Sequence, residues 1–158
     1  MDNLSLRYHP DSPYYGKEGY LGSLTTQQSN CLEVIETWVI EQSFEFSDLC
    51  LNSLNPKLTL LRYLRANKFS IEKTKAHILR NLEWRTEMDV KGICSKTPEE
   101  ILGCSLQDIM NIFPHWQSGT DEYGRPIIYK QYGSMFDATK IFQLTTKDAI
   151  AKYHIWEQ

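Results

Sequence analysis

The sequence predicts a mostly α chain that passes into a sheet over its last third. Three observations carry this. Apolar residues recur at i, i+3/i+4 and i+7 between residues 26 and 88, the period of helices with a buried face. Helix-start punctuation stands at Asn55-Pro56 and again at Thr97-Pro98-Glu99-Glu100. After Phe113-Pro114 the character changes: "HWQSGTDEYGRPIIYKQYG" sets turn residues between aromatic and β-branched runs, as a β-hairpin does.

Residues 1–24 are rich in Tyr, Gly, Pro and Ser without a period, so a mobile leader is expected there. Its Gly16, Gly19 and Gly22 are not read as a phosphate loop, because no strand precedes them. A first helix is expected from about Thr26 to Gln42, with Leu32, Ile35, Trp38, Val39 and Gln42 at helical spacing. The second takes Asn55 as N-cap and Pro56 as its first residue, presents Leu60, Leu61 and Leu64, and closes with Asn67 in the left-handed conformation. Ser70 is expected to cap a third helix running to about Met88. Its angular positions separate Ile71, Ile78, Leu79 and Leu82 from a second stripe of His77, Asn81, Trp84 and Met88. Thr97 to Glu100 reads as a capping box, and Ser105 to Asp108 repeats that signal. In the hairpin, Gly124 supplies a positive φ and Arg125 pairs with a carboxylate such as Asp121. A last helix begins near Thr146, with a capping box of Thr145 and Asp148 and an apolar face of Ala149, Ile150, Tyr153 and Trp156.

With 41% hydrophobic and 23% charged residues, the 158-residue chain is ordinary for a globular protein, which excludes the disordered and collagenous classes. The net charge of −3 is unevenly spread: residues 57–91 hold nine Lys/Arg against four Asp/Glu, a basic block suited to phosphate. Cys31, Cys50, Cys94 and Cys104 form no C-x-x-C pair and have no His at ligand spacing, so isolated thiols are expected, with no metal site and no cofactor. No signal-peptide h-region and no apolar run of membrane-spanning length occurs, so a cytoplasmic, reducing environment is expected. His9, His77, His115 and His154 have no neighbouring nucleophile and no paired carboxylate, so an enzyme is not expected. The two basic helices joined by "ANKFS" look superficially like a helix-turn-helix, but acidic residues intersperse the cations and no nucleic-acid partner is expected.

"LLRYLRANKFSIEKTKAHILRNLEWR", Leu60 to Arg85, resembles the N-terminal helical unit of the CRAL-TRIO lipid-binding family. "FPHWQSGTDEYGRPIIY", Phe113 to Tyr129, is similar to that family's first hairpin with its Asp-x-x-Gly-Arg-Pro turn, and "KYHIWEQ" to the helix after it. The resemblance implies a mostly α chain with the start of an α/β domain: a leader at 1–24, the N-terminal helical domain at 25–105, and a partial lipid-binding domain at 106–158. In the family the sheet of that domain floors an apolar cavity gated by a mobile helix. This chain supplies the clamp of helices, one hairpin and one helix, so it is expected to be truncated within the lipid-binding domain.

By strand alternation Gln117, Ile128 and Lys130 share one face of the hairpin, with Trp116 and Tyr129 on the other. The resemblance implies that the first face sees lipid. Gln117 and Ile128 stand where hairpin tyrosines of phosphatidylcholine-handling members help to hold phosphate, and Ile128 has no donor to offer. Arg62, Arg65, Lys68, Lys73, Lys75 and Arg80 are the cations expected to meet an anionic membrane surface peripherally. The implied function is phospholipid binding, phosphoinositide-type, and inter-membrane transfer, incomplete in this piece. The alternative is a protein-interaction module without lipid transfer, because an uncovered hairpin and open strand edges are adhesive.

Overall fold

The computed structural model describes residues 16–49, 55–122, 126–131 and 138–157. In chain order these form α1 (Thr26–Glu41), α2 (Phe46–Leu49), α3 (Pro56–Ala66), α4 (Ile71–Glu87), α5 (Val90–Cys94), α6 (Pro98–Leu102), α7 (Leu106–Ile112), β1 (His115–Thr120), β2 (Pro126–Lys130), α8 (Ala138–Leu144) and α9 (Lys147–Trp156). The described residues are thus mostly helical with one two-stranded antiparallel sheet, as expected. It divides into two compact units, one reaching to Arg85 and one beginning at Thr86.

The first unit is built on a core of Leu32, Ile35 and Val39 from α1, Leu49 from α2, Leu60, Leu61 and Leu64 from α3, and Ile78 from α4. Each such side chain gains roughly 1.5–3 kcal/mol by leaving water. Thr25 caps α1 in a full capping box with Gln28, and Asn55 caps α3 by accepting from the Lys57 amide at 3.0 Å, ahead of Pro56. At the far end of α3 the expectation is corrected. Asn67 keeps φ −106°, and the left-handed step falls on Lys68 and Phe69, at φ 53° and 58°. The Phe69 amide donates to the Leu64 carbonyl at 2.7 Å, while the Asn67 side chain donates to the Tyr63 carbonyl at 2.8 Å and meets His77 Nδ1 at 3.0 Å. A second bonding partner holds Asn67 out of the left-handed region, and the turn is made one residue later.

Residues 16–24, read as the end of a leader, pack on this unit. Leu21 and Leu24 lie against the core, and Arg65 Nη1 donates to the Gly19 carbonyl at 3.1 Å. Gly19 sits at φ +83° with the Phe69 ring 3.3 Å from where a Cβ would be, so both its conformation and its neighbour demand glycine. In α4 the two expected stripes are redrawn: Leu79 is 48% and Trp84 43% exposed, while Thr74 and Ile78 are fully buried. Tyr63 of α3 covers the second stripe at His77 and Asn81, and Leu79 and Trp84 each stand out from their own stripe.

The second unit closes on Leu102, Ile109, Ile141 and Tyr153 from α6, α7, α8 and α9, with Ile101, Leu106, Ile112, Phe113 and Ile150 around them. Thr97 and Glu100 form the expected capping box on α6. Ser105, expected to repeat it, makes no side-chain cap bond on α7. The last helix is also corrected: Thr146 caps α9 by accepting from the Ala149 amide at 3.1 Å, and Asp148 pairs with Lys152 one turn on. Thr145 is buried and donates to the Leu102 carbonyl at 2.5 Å, tying α9's start to α6's end. The indole of Trp156 donates to the Lys96 carbonyl at 2.9 Å. Strands β1 and β2 pair His115 with Lys130, Trp116 with Tyr129 and Gln117 with Ile128, then shift register before Thr120 meets Pro126. Gly119, at φ +62°, lies in that bulge. Gly124, Arg125 and Cys50 lie outside the described residues.

Two threonines give opposite predictions. The fully buried Thr74 hydroxyl has no hydrogen-bond partner, so Thr74→Val should raise stability by about 1 kcal/mol. Thr145→Val strands the Leu102 carbonyl and should lower it by about 1–3 kcal/mol. Urea denaturation of the two variants beside the parent chain checks both signs.

Candidate functional site

Alternation along β1 and β2, with the observed register, gives the hairpin two chemically distinct faces. One carries Trp116 and Tyr129, half-exposed and stacked with ring centres 5.3 Å apart and planes 15° from parallel. The other carries His115, Gln117, Ile128 and Lys130. Gln117, Ile128 and Lys130 therefore do share a face, but their surroundings differ. Gln117 and Ile128 oppose one another and are exposed to solvent, whereas Lys130 lies at the base of the ribbon against α9.

That base is a polar cluster. His115 is buried, with Nδ1 2.7 Å from the Phe113 carbonyl. A carbonyl can only accept, so Nδ1 carries a hydrogen, and in the neutral ring Nε2 accepts from the Tyr153 hydroxyl at 2.8 Å. Glu157, one turn beyond Tyr153, sets Oε1 3.4 Å from His115 Nε2 and Oε2 2.7 Å from Lys130 Nζ. His154 Nδ1 lies 3.4 Å from the same ammonium and 3.5 Å from Oε2. Burial pushes the Tyr153 phenol up to about 12, with the Glu157 and Glu99 carboxylates adding to the shift. Both strands are thus fastened to one helix through a hydrogen bond and an ion pair.

The six basic residues do not form one equivalent set. Arg65 is tied to Gly19 and stacks 4.0 Å over the Tyr20 ring, and Lys75 sits 5.5 Å from the centre of the Trp38 ring. These two are packing residues in part. Arg62, Lys68, Lys73 and Arg80 are exposed. Sequence reading passed over Tyr153 and Glu157 as polar partners. Their i, i+4 spacing was available, but partners 27 and 38 residues away were not.

Among the described residues no helix is long and apolar enough to cross a membrane, and no group of three or more His, Cys, Asp or Glu could hold a metal ion. The first unit is a set of helices about one aliphatic core. Residues 24–80 match the CRAL/TRIO, N-terminal domain family. The chain is 34% identical over 98 residues to the phosphatidylinositol/phosphatidylcholine transfer protein SFH12 of Arabidopsis thaliana, covering 62% of this chain and 17% of that protein. It is 31% identical over 99 residues to the SEC14 cytosolic factor of Kluyveromyces lactis, covering 63% and 31%. A SEC14 cytosolic factor of Yarrowia lipolytica matches at 24% over 142 residues, covering 90% and 26%. The chain therefore spans about a sixth to a third of the length of these relatives.

Tyr153 generates a pH prediction. Below the ordinary tyrosine value of 10.0 the phenol is protonated in both folded and unfolded chains, and its contribution to stability is fully present. Between 10.0 and about 12 the unfolded chain ionises first, so stability falls as pH rises. Chemical denaturation from pH 9 to pH 12 should show a shallower fall in Tyr153→Phe than in the parent.

Proposed function

We propose that this chain serves phospholipid binding and inter-membrane transfer, with a phosphoinositide-type lipid as ligand. A CRAL/TRIO N-terminal domain at about 25–105 leads into the first part of a lipid-binding domain at about 106–158. The observation that carries this reading is the joining of the matched helical segment to a hairpin whose Gln117 and Ile128 face outward from an anchored base. The names of the Arabidopsis relatives supply the substrate class, phosphatidylinositol and phosphatidylcholine. The chain acts by binding and not by catalysis, in the cytoplasm and at the surface of organelle membranes. Arg62, Lys68, Lys73 and Arg80, helped less by Arg65 and Lys75, approach an anionic leaflet at about 1 kcal/mol per cation.

A second reading, an interaction module without lipid transfer, draws on the outward stack of Trp116 and Tyr129 on a ribbon that has two strands among the described residues. Extraction of the purified chain with organic solvent separates the two. Phospholipid near one molecule per chain supports transfer, and a lipid-free extract favours the module. The membrane part is tested by sedimentation with vesicles. Replacing Lys68, Lys73 and Arg80 together by Gln should weaken binding to anionic vesicles about 100-fold at low salt, and leave binding to neutral ones unchanged. Equal sedimentation with both vesicle types by the parent chain would remove the electrostatic contribution.

A further inference from the structure

Lys130 is the one cation among the three hairpin residues assigned to ligand contact, and the structure gives its charge a partner. Its Nζ lies 2.7 Å from Glu157 Oε2, and the two side chains are only 16% and 14% exposed, so the pair is shielded from water and from salt. His115, the remaining polar group on that face near the base, has Nδ1 engaged by the Phe113 carbonyl and Nε2 by the Tyr153 hydroxyl. What the face shows to solvent is the Gln117 amide and the Ile128 side chain, one neutral dipole and one hydrocarbon.

We infer that Glu157 is a specificity-determining residue: by neutralising Lys130 it makes the hairpin face uncharged, so this face takes the ester and acyl region of a lipid and rejects an anionic phosphate. The inference rests on the lipid-binding reading and adds to it where on the hairpin the charged headgroup does not go. Its physical basis is competition. A phosphate oxygen approaching Lys130 must displace a carboxylate already at hydrogen-bonding distance, partly desolvated and held on α9 by the same turn that supplies Tyr153. Removing the carboxylate leaves a half-buried ammonium without a counter-ion, which then recruits an anion from solution.

The test uses the chain itself and water-soluble headgroups, so it does not depend on a cavity. The Lys130 side-chain ammonium and the Gln117 amide are followed by NMR during addition of inorganic phosphate, glycerophosphoinositol or glycerophosphocholine. In the parent, none of the three should move the Lys130 signal at millimolar concentration. In Glu157→Gln, phosphate and glycerophosphoinositol should both bind at least about tenfold more tightly than to the parent. Response to glycerophosphoinositol alone in that variant would mark headgroup recognition, and response to both equally would mark the phosphate group as what Lys130 reads. Glu157→Asp should restore the silent behaviour, and Lys130→Met in the Glu157→Gln background should abolish the gain. A parent chain whose Lys130 titrates with either anion, or a Glu157→Gln chain that responds to neither, overturns the inference. The lipid-binding reading itself stands or falls on the solvent extraction, so the two failures are distinguishable.

Discussion

A two-stranded β-ribbon does not hold itself in water, and the second unit depends on the way it is fastened. The fastening is polar. His115 at the start of β1 meets the Tyr153 hydroxyl, and Lys130 at the end of β2 meets Glu157, so both strands are pinned at the same end to the last turn of α9 and its C-cap. Apolar packing alone could let the ribbon slide by two residues, because such a shift keeps the same faces inward. A directional hydrogen bond and a half-buried ion pair admit one register. Every statement about which side chains face outward farther along the ribbon, Gln117 and Ile128 included, follows from that anchor.

The helical unit solves a different problem with different chemistry. Its core is aliphatic and comes from α1, α2, α3 and α4, so shape complementarity fixes the helices without buried charge. The polar work is at the ends. Lys68 and Phe69 take left-handed backbone conformations after α3, at a cost of order 1–2 kcal/mol each for residues bearing a Cβ. The Phe69 ring then lies against Gly19 and the core, which recovers that cost through burial. Arg65 stacks on Tyr20 and bonds the Gly19 carbonyl in the same place, so residues before α1 are drawn onto α3.

How much of this could be read from sequence varied with the range of the interaction. Caps that depend on three residues, such as Thr97 with Glu100 or Asn55 with Pro56, were legible because both partners stand in the same short window. The two faces of the hairpin were legible for the same reason, since alternation is a property of each strand. Thr145 and Thr146 are adjacent and chemically identical, and only the Leu102 carbonyl, 43 residues away, decides which of them caps α9. Leu79 and Trp84 fit the periodicity of two different stripes of α4, and their exposure at 48% and 43% is a tertiary fact that periodicity does not carry. Lys130 was placed on its face by the same alternation, but its pairing with Glu157, 27 residues on, lies beyond any local rule.

The same distinction changes how the basic block is understood. Counted along the chain, residues 57–91 form one run of positive charge. In three dimensions the run is sorted: Arg65 and Lys75 are drawn onto aromatic rings, Lys57 pairs with Glu36 at 3.6 Å, and Arg62, Lys68, Lys73 and Arg80 remain at the surface. Helix α1 of the same unit bears Glu33, Glu36 and Glu41, so the unit carries opposite charge on different helices. The hairpin shows the same sorting: Lys130, a cation by sequence, is matched by Glu157, 27 residues further along the chain.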